Sequence, residues 1–312
     1  MKFFNLIQFN LNIMRLLLNI SFFLFLFSNC KTNYDDLANG IYRGDKLVVY
    51  GVVDNENGLV VKVSHSVQPI GKTTDNLNII DAHIILYENG DSLPLIIKGR
   101  KINGLGGYEY TDSTIHPKVG ARYKIIVSTI GYQTVESEEQ VFLEKPDVRN
   151  ISALIGKGEI YGDKFYIFKA NLFFDSTHTY YYVINTVTES DTSAATTNYT
   201  TNLDSKYKTC DAYLYSLIFF YGSSNCFYSG EEILWNIGFN KNFNLFTKKT
   251  PSSLNLRISS VSKIFFDYGK SLNQPDSPQD LIFREPNAAV NNIKNGYGYF
   301  YTKNTFLFTK KI

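Results

Sequence analysis

Apolar and polar positions alternate along most of this chain with the period of two that a half-buried strand requires. Leu47-Val48-Val49-Tyr50-Gly51-Val52-Val53 precedes the turn-forming Asp54-Asn55-Glu56-Asn57-Gly58, and Leu59-Val60-Val61-Lys62-Val63 follows it, which predicts a hairpin. Further strand-like runs fall at 82–87, 93–97, 108–111, 123–129 and 133–142, bounded by Gly, Asn, Asp or Pro. Short strands at this spacing, with no amphipathic helix among them, predict an immunoglobulin-like sandwich over residues 45–146. Lys145-Pro146-Asp147 is the expected boundary to a second β-rich domain at 147–312. There 164–174 and 180–187 read as strands, and the Ser/Thr/Asn-rich stretch 188–205 as a loop or edge hairpin. The runs 211–221 and 233–246 are apolar, and Leu254, Leu256 and Ile258 alternate. The period then changes: Val261, Ile264, Phe265, Tyr268 and Leu272 share one helical face, and Gln274-Pro275 and Ser277-Pro278 end the helix. The tail returns to β pattern at 296–301 and 305–308. The fold class is therefore mainly β, with one short helix.

The N-terminus breaks this alternation. Lys2 and Arg15 lead an apolar stretch from Leu16 to Phe27, followed by Ser28-Asn29-Cys30. A membrane-spanning helix needs about 20 apolar residues, so the stretch reads as a secretory signal at 1–29, with Met14-Arg15 an alternative start. Cys30 directly after the apolar core resembles the lipid-attachment cysteine of bacterial lipoproteins, and Ser28-Asn29-Cys30 is similar to endings common in Bacteroidota. Residues 30–44, with Asp35-Asp36, then form a tether, and acidic residues at that place often accompany display on the outer face of the outer membrane. Cleavage removes Lys2 and Arg15 from the 31 basic residues and none of the 29 acidic ones, leaving a formally neutral chain. That balance argues against nucleic acid, which requires a basic stripe, and against attachment through a polybasic patch. Acyl chains on Cys30 would hold the protein instead, each methylene contributing about 0.8 kcal/mol.

Candidate chemistry is sparse. Cys210 and Cys226 form a disulfide or pack as free thiols among Phe219, Phe220 and Phe227. No CxxC pair or spaced histidine accompanies them, so no metal site is expected, and His65, His83, His116 and His178 stand singly. Ser260-Val261-Ser262-Lys263 formally matches the SxxK of serine acyl-enzymes, but no Lys-Thr-Gly or Ser-Asp-Asn follows. Gly71-Lys72-Thr73 lacks the first glycine of a phosphate loop, and Gly104-Leu105-Gly106-Gly107 lacks the spacing of a dinucleotide fingerprint. Asp54 to Gly58 has calcium-friendly oxygens without EF-hand spacing. Neither a catalytic residue nor a cofactor is expected. Aromatic residues make up 15% of the chain, and most should fill a β core. Tyr297, Tyr299 and Tyr301, on one side of a strand with Phe300 on the other, are the expected exposed binding surface.

Two resemblances extend this reading. Asp81 to Tyr87, Gly107-Tyr108, Gly120 to Val127 and Gly131-Tyr132 resemble the carboxypeptidase-regulatory-like, transthyretin-like modules of surface proteins, which serve as spacers or binding platforms. The order of Cys30, the Leu47 to Val53 strand, the sandwich, Tyr268-Gly269-Lys270-Ser271-Leu272, Arg284-Glu285-Pro286 and Asn292-Ile293-Lys294-Asn295-Gly296-Tyr297-Gly298-Tyr299-Phe300 resembles a Bacteroidota outer-membrane lipoprotein family, domain of unknown function 4249. Asn295 stands where that family frequently has Gly. The resemblance implies a non-enzymatic accessory or substrate-binding role beside a TonB-dependent outer-membrane barrel, and it brings no catalytic residues. A structural or adhesive surface protein, or a surface hydrolase, are the alternatives.

Overall fold

The computed structural model describes residues 46–66, 77–102, 107–157, 164–189, 196–200, 210, 212–215, 219–239, 253–272 and 290–311. Cys30, Gly71-Lys72-Thr73, most of the 104–107 turn and Arg284-Glu285-Pro286 lie outside them. In chain order the first strands are β1 (Leu47–Asp54), β2 (Gly58–His65), β3 (His83–Glu88), β4 (Asp91–Leu93), β5 (Lys98–Ile102), β6 (Gly107–Asp112), β7 (Arg122–Ser128), β8 (Val135–Ser137) and β9 (Gln140–Val141). Next come β10 (Asp147–Lys157), β11 (Lys164–Phe173), β12 (Tyr181–Glu189), β13 (Thr196–Thr200), β14 (Ala212–Tyr215), β15 (Phe219–Ser223) and β16 (Glu231–Phe239). Finally β17 (Ser253–Val261) runs into helix α1 (Lys263–Leu272), and β18 (Ile293–Lys294) and β19 (Tyr297–Lys311) close the fold.

These strands make a nine-stranded sheet in the order β14-β15-β12-β17-β19-β1-β2-β6-β5, a four-stranded sheet β10-β11-β16-β13, and a six-stranded sheet β18-β8-β7-β3-β4 with β9 beside β7. The nine-stranded sheet serves two sandwiches. Val49, Val61 and Phe300 of the large sheet meet Leu86, Ile125 and Val127 of the six-stranded one in a first core. Tyr182, Leu256 and Ile258 meet Phe168, Leu172 and Ile233 of the four-stranded sheet in a second. Directly paired residues share a sheet face, so Gly51↔Phe300, Asn304↔Ser260 and Phe306↔Ile258 put both cores on one side. The opposite side carries α1, where Phe266 is fully buried with Val183, Tyr221 and Val261.

The hairpin β1–β2 turns where the sequence predicts it. Asp54 Oδ1 accepts the backbone N–H of Glu56 at 2.7 Å and of Asn57 at 2.6 Å, and Gly58 takes φ +73°, so these oxygens serve a turn. The first sandwich also holds a tyrosine corner of the immunoglobulin kind. Tyr123, at the start of β7 and fully buried, accepts the Lys118 N–H at 2.9 Å and donates to Glu88 Oε2 at 2.6 Å.

The boundary at Lys145-Pro146-Asp147 separates the two smaller sheets and leaves the large one continuous. β1 pairs in parallel with β19, from Val48↔Tyr297 to Asp54↔Lys303, and Ile293 and Phe300 belong to the first core. Residues 45–146 thus close their sandwich with C-terminal strands rather than alone. The expected 133–142 strand is two short pieces, β8 and β9. Within the 188–205 stretch, β13 is an edge strand of the four-stranded sheet. β10 is not anticipated, because Asn150, at φ 52°, shifts register between Arg149 and Ser152 and breaks the alternation. Val261 ends β17 instead of starting the helix. Among the described residues, no helix is long and apolar enough to cross a membrane.

Candidate functional site

Tyr297, Tyr299 and Tyr301 do share the face opposite Phe300, but helix α1 rests on that face. Phe265 stacks on Tyr301 with ring centres 4.0 Å apart, and Tyr268 meets Tyr299 at 4.2 Å. Tyr50 closes the cluster 5.1 Å from Tyr299. Burial pushes the Tyr301 phenol well above its ordinary range. The expected exposed trio reduces to Tyr297, 42% exposed, with the Lys46 ammonium 5.3 Å from its ring centre. Tyr299 and Tyr301 are the seat of a helix; alternation gives the face of a residue, not what covers it.

The C-terminal motif is a structural latch. The buried Asn292 side chain donates Nδ2–H to the Phe300 carbonyl and accepts the Phe300 N–H, both at 2.9 Å. Gly298, at φ +108°, lies so close to β1 that a Cβ would stand 2.0 Å from the Val49 carbonyl oxygen, so only glycine fits. Asn295 takes φ 64°, the left-handed conformation that asparagine shares with glycine.

The same side of the large sheet that carries both cores also carries a cleft of about 360 Å³, inside the range of about 300–1,000 Å³ for small-molecule sites. It opens where the chain passes from β9 to β10. Thr302 Oγ1 donates to the Val141 carbonyl at 2.6 Å and Asn304 Nδ2 to the Leu143 carbonyl at 3.0 Å, which pins that crossing to β19. The floor is Tyr182 of β12 and Ser260 of β17, direct cross-strand partners and each only 2% exposed. Neither hydroxyl has a hydrogen-bond partner among the described residues. Burial drives the Tyr182 phenol up, and Tyr180 adds to it. One wall is aromatic: Tyr180 stacks with Tyr182 at 16° between planes, and Phe174 leans on both.

The rim is mixed in charge. Arg149 grips the Asp147 carboxylate, which holds Asp147 below the usual carboxylate range, and its guanidinium lies 4.4 Å from the Phe173 ring centre. Asp175 is likewise held low, by the Thr177 hydroxyl and N–H. Glu144 and Lys145 are exposed and form no ion pair among the described residues. Ser260 stands in the sequence only within the formal SxxK match, and Tyr182 belongs to no motif. The signal lies in the alternation: Leu256 and Ile258 point inward, so Ser260 is a polar residue at the next inward position.

The remaining positions resolve separately. Cys210 and Cys226 are joined by a disulfide and pack in the second core with Phe220 and Phe227. Ser260 is in a strand, whereas Lys263 starts α1 and pairs with Asp267, so the SxxK residues are not one helical turn apart. His65 faces Tyr132 at 6.3 Å and exposed His178 lies 3.5 Å from Asp175. Among the described residues, no group of three His, Cys, Asp or Glu side chains is placed to hold a metal ion.

Residues 33–306 match the family described as Domain of unknown function (DUF4249). No curated protein matches the chain.

Proposed function

We propose that this chain, which belongs to the DUF4249 family, is a lipid-anchored outer-membrane surface protein that binds a small ligand and serves a TonB-dependent barrel as a non-enzymatic accessory. The observation that carries the binding role is the pair of hydroxyls on the cleft floor, on residues each 2% exposed, that bond to nothing among the described residues and open onto the cleft. These hydroxyls open onto the cleft, where solvent can bond them, and a ligand that fills the cleft must replace those bonds or lose about 1–3 kcal/mol for each. Lipid anchoring is supported by the apolar run ending in Cys30, just ahead of the family match that begins at residue 33. The barrel partnership rests on the family resemblance.

The rim supports a non-enzymatic role. A glycosidase-type hydrolase needs one carboxyl held protonated beside one ionised. Asp147 and Asp175 are both pulled toward the ionised form, and among the described residues no histidine or cysteine lines the cleft.

The test is purification from outer membranes in mild detergent through a tag at Ile312, with mass spectrometry of the Cys30 peptide and of co-eluting proteins. An acylated Cys30 and a stoichiometric TonB-dependent barrel are expected. Acylated protein recovered alone would replace the accessory role by a free-standing adhesive or structural one. An unmodified Cys30 would overturn the anchored location.

A further inference from the structure

We infer that the cleft takes a neutral saccharide, its ring stacked on Tyr180 and Phe174 and its hydroxyls bonded to Tyr182 and Ser260; this deepens the binding role proposed above and rests on it. The floor sets the first requirement. Tyr182 and Ser260 each carry a hydroxyl that donates and accepts, and both are unpartnered at 2% exposure. A ligand rich in hydroxyls offers both halves of such bonds from one edge. An aliphatic ligand would leave the two groups unsatisfied and lose about 1–3 kcal/mol for each.

Charge sets the second. Glu144, Asp147 and Asp175 face the cleft together with Lys145 and Arg149. Arg149 is already committed to Asp147 and to the Phe173 ring, so an anionic ligand would meet three carboxylates with one uncommitted cation, Lys145. A cationic ligand finds Asp147 and Asp175 already engaged, by Arg149 and by Thr177. A neutral polyol avoids both conflicts and donates hydroxyls to the free carboxylate of Glu144. Shape sets the third. Tyr180, half-buried, keeps its ring nearly parallel to that of Tyr182, with centres 6.2 Å apart, and it presents a flat apolar surface for the C–H face of a sugar ring. A volume of about 360 Å³ suits one or two such rings rather than a long chain.

The experiment is calorimetric titration of the full detergent-solubilised protein with cellobiose, maltose and lactose, and with glucosamine, glucuronate and Ala-Ala as comparators. The same titrations are run on Tyr182→Phe and Ser260→Ala, whose removed hydroxyls make no bond within the described protein, with thermal melts to confirm folding. Saturable binding of at least one neutral disaccharide is expected, weakened about 5- to 10-fold by each variant as the loss of one hydrogen bond predicts, at unchanged Tm. Tyr180→Ala should weaken it at least as much. Binding of only a comparator, binding of no probe, or sugar binding that ignores both floor variants would overturn the inference. Co-purification of the barrel is read independently, so a failed sugar titration with a bound barrel removes the ligand class alone.

Discussion

The latch at Asn292–Phe300 and the cleft floor at Tyr182 and Ser260 lie against one sheet and treat buried polarity in opposite ways. In the latch, the Asn292 amide satisfies the Phe300 N–H and carbonyl, and Phe300 is fully buried. On the floor, two residues each only 2% exposed turn hydroxyls toward the cleft that bond to nothing in the described protein. The motif that makes the family resemblance most specific is thus a folding device. It ties β19 to β1, and through Ile293 to β8, so that the first sandwich closes with strands from the far end of the chain. Groups left unsatisfied by the fold are the ones available to a ligand.

The contrast breaks most visibly at Phe300. Phe300→Ala should cost about 3–5 kcal/mol by leaving a cavity against Gly51 and Ile125, read as a lowered denaturation midpoint. Asn292→Ala should cost about 2–4 kcal/mol, because it strands two buried backbone groups. Replacing Cys210 and Cys226 together by Ala should cost about 2–4 kcal/mol in the second core, and reductant should lower the wild-type Tm without lowering that of the double variant.

A smaller effect in the first sandwich is set by pH. Glu88 is held below the usual carboxylate range, first by its hydrogen bond with Lys118 and then by that with Tyr123. A carboxyl with a depressed folded-state pKa contributes stability that is present above its unfolded value and lost as pH falls through the folded one. Stability should therefore fall below about pH 4, and Glu88→Gln should flatten that fall in an acid titration of Tm. The smallest expected effect is at the floor. Tyr182→Phe and Ser260→Ala should each change stability by less than about 0.5 kcal/mol, since neither removes a bond made within the described protein.

Strands and turns were legible because their determinants are local. The β1–β2 hairpin and its Asp54 turn need only neighbouring residues, and α1 stands near its predicted place. Its buried face was less legible: Phe266, outside the predicted stripe, is fully buried, because it packs against Val183, Tyr221 and Val261 on the sheet. The shared sheet was illegible because β1 and β19 pair across most of the chain, and alternation names no partner. The cleft was illegible for the same reason: Tyr182 and Ser260 meet only once β12 pairs with β17.

The most direct test sets the two regions side by side, in thermal melts of Asn292→Ala and of the double variant Tyr182→Phe/Ser260→Ala in the full protein. Asn292→Ala should melt several degrees below wild type, about 2–4 °C for each kcal/mol in a chain of this size, while the double variant melts with wild type. A double variant that melts as low as Asn292→Ala would show that the floor hydroxyls hold the fold, and would contradict their reservation for a ligand.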